Sequence, residues 1–183
     1  MRALGLSTFL LVGLVLWGLA PASAEDAAIK PFLGTYEGTT LLSTEQEGSR
    51  ELKVAITPAE NDGFRVAWQT TIFEPPAEVR RKTQSLEFHR AQANPEVYAA
   101  KPSVVTVGIV PSPDPLDGTP LAWARIDDRT LTINVLTISE DGDWVVQVYD
   151  RVLTKEGMAL SFVRVRNGHV EQRLWGTLER TGN

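Results

Sequence analysis

The chain contains no cysteine in its 183 residues. Disulfides and thiolate metal sites are therefore excluded, and the fold must be held by its apolar core. Histidine is nearly missing as well. The two present, His89 and His169, stand without a His-x-His or His-x-x-x-His partner. A zinc site would need carboxylates gathered from several strands, so no metal is expected. There is no Gly-x-Ser-x-Gly, no phosphate-cradling glycine loop and no dinucleotide fingerprint, which leaves an enzyme as a secondary reading, with Asp150 as its acid or base. An excess of positive charge is also lacking. Lysine and arginine number 18 against 23 acidic residues, a balance that does not suit nucleic acid. The one basic cluster, Arg80-Arg81-Lys82, follows Pro75-Pro76 closely and reads as a solvated loop.

What is present begins with a leader. Met1-Arg2 runs into the apolar stretch Leu4 to Leu19, which ends at Ala22-Ser23-Ala24 before Glu25. A basic start, an apolar run and an A-x-A site describe a secretory signal peptide over residues 1–24. The apolar run is short for a membrane span. The expected mature chain, 25–183, is one domain with a net charge of −6, since Arg2 leaves with the leader. Its expected location is a bacterial periplasm or the secreted fraction.

The mature chain alternates apolar and polar residues in short runs, with no convincing amphipathic helix. Pro31–Gly38 opens a first strand that continues to about Leu42, and Ser43–Arg50 is a polar loop. Glu51–Pro58 sets Leu52, Val54 and Ile56 on one face. After the Asn61-Asp62-Gly63 turn, Phe64, Val66, Trp68 and Ile72 share a face, and Leu86 and Phe88 share another in Thr83–Ala91. A short piece follows at Val97–Ala100, then an apolar run, Val104–Val110. Four prolines between Pro111 and Pro120 forbid regular structure there. Leu121–Ile126 leads into a meander of four strands, Leu131–Ile138, Trp144–Leu153, Met158–Arg166 and His169–Leu178. The expectation is an all-β fold, a single antiparallel up-and-down meander barrel of about ten strands, closed because closure removes exposed edges.

Turn chemistry predicts the register of the last four strands. A two-residue turn at Asp141-Gly142 sets Leu131 opposite Val152. A four-residue loop over Thr154–Gly157 sets Val148 against Val163 and Asp150 against Ser161, and a two-residue turn at Asn167-Gly168 sets Val163 against Gln172. A three-residue bulged turn at Thr154–Gly157 would flip the later faces. The four-residue loop is preferred because it keeps the small apolar residues together.

On this register Asp150, Ser161 and Gln172 interrupt the apolar inner face. They are expected to form the polar floor of a ligand cavity lined by Val148, Val163 and Leu174. The alternative is a buried Asp150 tied to Arg125 or to ordered water, with a purely structural role. Tyr149, Leu160, Phe162 and Trp175 are expected on the outer face, either stabilising the sheet or forming a partner or homodimer surface.

Phe32-Leu33-Gly34-Thr35-Tyr36-Glu37-Gly38 resembles the opening Phe-x-Gly-x-Trp/Tyr of the calycin superfamily, which includes lipocalins, fatty-acid-binding proteins and nitrobindin-like barrels. The ending, Asn167-Gly168 to Leu174–Arg180, looks like the last hairpin of fatty-acid-binding proteins. The resemblance implies a barrel that holds a small apolar or amphipathic ligand, or haem. No Arg-x-Tyr carboxylate clamp is found near the C-terminus. No histidine stands where nitrobindin-like barrels keep a haem ligand, unless His169 is counted, so no cofactor is expected. The functional expectation is an exported binding protein for a small molecule. The alternative is a protein-interaction or envelope-structural domain with a packed interior.

Overall fold

Alternating inward apolar residues carry the backbone once round a closed circuit. The computed structural model describes residues 27–42, 50–74, 78–101 and 114–182. The leader, most of the Ser43–Arg50 loop, the Val104–Val110 run and the first prolines of the Pro111–Pro120 segment lie outside the described residues. The later part of that segment does contain one turn of 3-10 helix, Pro115–Asp117, whose N-terminus is capped by the Asp114 carboxylate accepting from the Leu116 N–H.

Ten antiparallel strands follow one another among the described residues. They are β1 (Gly34–Leu42), β2 (Arg50–Ala59), β3 (Gly63–Glu74), β4 (Glu78–Arg90), β5 (Val97–Ala100), β6 (Leu121–Asp127), β7 (Thr130–Ile138), β8 (Trp144–Leu153), β9 (Gly157–Arg166) and β10 (His169–Gly182). Each pairs with its sequence neighbours, and β1 pairs with β10 to close an up-and-down barrel. The circuit is thinnest at β5, which shares three paired positions with each neighbour.

The inner face of β2 to β4 is the expected one: Leu52, Val54, Ile56, Phe64, Val66 and Phe88 are all buried. Phe64 stacks on Phe88 and meets Tyr98 edge-on, with centroids 5.1 Å apart in both pairs. These rings fill one end of the barrel. A 3-10 turn, Lys30–Phe32, plugs that end with Ile29 and Phe32, both fully buried. The Tyr36 hydroxyl donates to the Phe32 carbonyl at 2.8 Å. Arg180 donates to the Leu33 and Pro31 carbonyls and to the Tyr36 oxygen. The last strand therefore fastens the entry of the first.

The face assignment in the meander needs a correction with a definite physical cause. The β7–β8 connection is a three-residue loop, Glu140–Gly142. The Ser139 N–H donates to the Asp143 carbonyl at 2.8 Å, and Gly142 takes a left-handed φ of 87°. Leu131 thus faces Arg151 rather than Val152. The Thr154–Gly157 loop has its expected length, with Val148 opposite Val163 and Asp150 opposite Ser161. The single-residue slip therefore carries through β8 into β9 and turns both strands over. Asn167-Gly168 makes its expected tight turn, pairing His169 with Arg166, but the register then shifts at Glu171. Arg164 Nε and Arg166 Nε donate to the two oxygens of Glu171 at 2.8 and 2.6 Å, holding the bulge. The shift restores Gln172, Leu174 and Leu178 to the inside. Two one-residue irregularities thus invert β8 and β9 alone.

Candidate functional site

Packing fills only one half of the barrel. The other half encloses a cavity of about 200 Å³ whose wall includes Leu52, Trp68, Tyr149, Leu160 and Phe162, far larger than the space one water occupies. Each wall residue comes from a strand whose alternation points it inward: Leu52 from β2, Trp68 from β3, Tyr149 from β8, Leu160 and Phe162 from β9. Tyr149 links the two sides, its ring 5.8 Å from Trp68 and 4.7 Å from Phe162. The Trp68 indole N–H donates to Gln84 at 3.1 Å and the Tyr149 hydroxyl to Gln147 at 2.9 Å.

The charges on this wall have one sign. Among the described residues, Arg50, Lys82, Arg151 and Arg164 line the cavity and no carboxylate does. Arg151 lies deepest, with 1% of its surface exposed. Its Nε and Nη1 have no hydrogen-bond partner. The guanidinium instead lies 5.9 Å from the Trp68 ring centroid and 5.7 Å from that of Tyr149. Burial lowers its pKa to about 10, against the upward pull of Tyr149 and Asp150. It is still a cation at neutral pH. A buried, unpaired guanidinium is costly unless something completes it, and ring faces supply only part of the compensation. Burial likewise raises the pKa of the Tyr149 phenol, so the floor carries no counter-charge of its own.

The residues expected to form the site divide cleanly. Gln172 and Leu174 line the cavity. Asp150, Ser161, Val148 and Val163 lie on the outer face, because their neighbours Tyr149, Arg151, Leu160 and Phe162 point inward. Asp150 is satisfied there, accepting from Thr132 Oγ1 at 2.7 Å and Ser161 Oγ at 3.2 Å, and not from Arg125, which pairs with Glu96. Tyr149, Leu160 and Phe162, expected outside, form the cavity wall, while Trp175 is exposed as expected, at 48%. Sequence reasoning puts Arg151 on the wet outer face beside Tyr149 and gives it no part in the site, whereas it is buried in the cavity wall. The signal that finds it is register: an arginine two positions from a tyrosine on a strand shares that tyrosine's face.

No family model, curated protein or solved structure matches this chain. The site must therefore be read from its own chemistry. Among the described residues no group of three or more metal-ligating side chains gathers, and no helix is long and apolar enough to cross a membrane. The arrangement offers a chamber of mixed lining, with aromatic and aliphatic side chains between polar ones and four cations on its wall, of which Arg151 is the most buried.

Proposed function

We propose that this chain is an exported binding protein that holds a small amphipathic anion in the open half of its barrel. The observation that carries the reading is Arg151, which is fully buried, lacks partners for two of its nitrogens and faces a cavity that no carboxylate lines among the described residues. A carboxylate or similar oxyanion would supply those hydrogen bonds in the bidentate geometry that guanidinium favours. Trp68, Tyr149, Leu160 and Phe162 would cover the ligand's apolar body. Export rests on the leader, Met1 to Ala24. The calycin-like reading is supported by the Phe32–Gly38 motif, which leads from the plugging 3-10 turn into β1.

The test is intrinsic tryptophan fluorescence, with Trp68 in the cavity wall as reporter, on the chain from Glu25. Octanoate is expected to change the signal saturably, octylammonium is not, and Arg151→Met is expected to abolish the octanoate response. The absence of any saturable response to either, together with a bare mass in native mass spectrometry after export, overturns the reading.

A second reading rests on the outer face. Val146, Val148, Val163, Val165 and Val170 cluster there beside Trp144 and Trp175, of which Val170, Trp144 and Trp175 are exposed. Such a patch suits a protein partner, with a second copy of this chain the simplest occupant. Sedimentation equilibrium distinguishes a dimer from a monomer.

A further inference from the structure

The cavity carries cations at two depths, and only one of them is at the floor. Arg151 sits at the base with 1% exposure, whereas Arg50 and Arg164 are partly exposed and Lys82 is exposed. Tyr149, Phe162 and Leu174 are cavity-wall residues on strands between these levels. Along β8 the inward positions run Arg151, Tyr149, Gln147, and Gln147 pairs with Arg164. Four residues of strand separate the Arg151 level from the Arg164 level by roughly 13 Å, and along β3, leading away from Phe64, Trp68 beside Arg151 is followed by Thr70, which pairs with Lys82, and Ile72, which pairs with Arg50.

The outer tier has charge to spare. Arg164 is engaged by Glu171 through its Nε, but neither Arg50 nor Lys82 forms an ion pair with a described residue, and the Arg50 Nε is buried without a partner. If the ligand carried one anionic group, at Arg151, it would leave two like charges facing the same unoccupied volume. Like charges lining one low-dielectric opening focus a positive potential on it.

We infer that the ligand is a dianion with its two anionic groups at opposite ends of an apolar segment, one held by Arg151 and the other by Arg50 and Lys82. This deepens the reading of the cavity as an anion site and rests on it. The inner anion is bound as a desolvated pair with the guanidinium. The outer one is bound at a wetter, screened position, where charge attraction is weaker but still additive. Chain length then becomes a selection criterion, because the two tiers are a fixed distance apart.

The test is a fluorescence titration of the chain from Glu25 with two matched series, straight-chain monocarboxylates and α,ω-dicarboxylates of six to twelve carbons. A dicarboxylate of best-fitting length is expected to bind at least about tenfold more tightly than the monocarboxylate of equal length, or about 1.4 kcal/mol. Arg50→Met with Lys82→Met is expected to weaken both series, but to weaken the dicarboxylate at least about tenfold more than the monocarboxylate of equal length, which removes that advantage. Equal affinity for the two series in the unaltered chain, or preference for the monoacids, overturns the dianion and leaves the anion site standing. Failure of both series to bind overturns the underlying reading as well. The comparison of ligands on the unaltered chain decides the question even where a variant does not fold.

Discussion

Arg180, three residues from the C-terminus, lays its guanidinium over the Tyr36 ring of the first strand, with Cζ 4.9 Å from the centroid and Nη2 2.6 Å from the hydroxyl. The same group caps the carbonyls of Pro31 and Leu33. One side chain therefore fixes the first strand, the last strand and the plug between them. Arg180→Met should cost about 1–3 kcal/mol in urea unfolding, through three lost charged hydrogen bonds and a cation–π contact. Arg180→Lys should recover only part of this, since the three donors of an ammonium sit on one nitrogen and cannot span acceptors that the guanidinium reaches from both Nη1 and Nη2. Unchanged midpoints in both variants would show that the plug docks without the clasp.

Arg151 makes the opposite prediction for stability. Its pKa falls to about 10 in the folded chain, so the folded state disfavours its charge. Below about pH 10 the residue is protonated both folded and unfolded, and the full penalty stands. The penalty fades only as the pH rises above about 10. The ceiling on that penalty is about 3 kcal/mol, offset by the ring contacts with Trp68 and Tyr149. Arg151→Met should therefore raise the unfolding free energy of the ligand-free chain by about 1–2 kcal/mol at neutral pH, and its Tm by several degrees. A lower Tm would mean that the guanidinium holds the wall together rather than waiting for a ligand.

The β1–β10 seam depends on two glycines. A Cβ at Gly38 would strike the Thr177 carbonyl, and one at Gly176 would strike the Thr39 carbonyl. In both cases the obstacle is backbone, which cannot swing aside. Gly38→Ala and Gly176→Ala should each destabilise the barrel by about 1–3 kcal/mol. Hydrogen exchange should show faster opening of β1 and β10 than of β2 and β3.

The acid limb of stability should respond to Glu87. Hydrogen bonds from Lys101 and Arg65 hold its carboxyl below the usual range. A carboxylate whose folded pKa is depressed contributes stability above its unfolded value and loses it as the pH falls through the folded one. Glu87→Gln should therefore lower the Tm at pH 6 and leave it unchanged near pH 2. Glu87 is half-buried but both cations are open to water, so the effect should stay under about 1 kcal/mol and shrink in salt.

The barrel was legible because its signals are redundant. Ten alternating runs and their punctuating turns agree on an antiparallel meander, and a one-residue error in any turn leaves that topology intact. The cavity was not legible for the same reason inverted. Which side chains face inward depends on the parity of each connection. The loop at Glu140–Gly142 contains an Asp-Gly pair that suits a two-residue turn equally well. Grouping the small apolar residues as core agrees with such a turn, yet Val146, Val148, Val152, Val163 and Val165 lie outside while Tyr149, Arg151, Leu160 and Phe162 lie inside. An arginine on the inner face is the feature that composition argues against most strongly, and it is the residue that gives the cavity its chemistry.

The absence of native cysteine makes the inverted faces directly measurable, because a single introduced thiol is the only one in the chain. Val148→Cys and Val163→Cys, half-buried on the outer face of the sheet, should react readily with a maleimide. Leu160→Cys and Phe162→Cys, on the cavity wall and at most 7% exposed, should react more than tenfold more slowly. They should slow further when octanoate is bound, whereas the outer pair should not respond to it. Asp150→Asn should leave octanoate affinity within about twofold and cost less than about 1 kcal/mol, because an amide can still serve Thr132 or Ser161. The reverse labelling pattern, fast at Phe162 and slow at Val163, would put Asp150 back inside the barrel and remove Arg151 from the site.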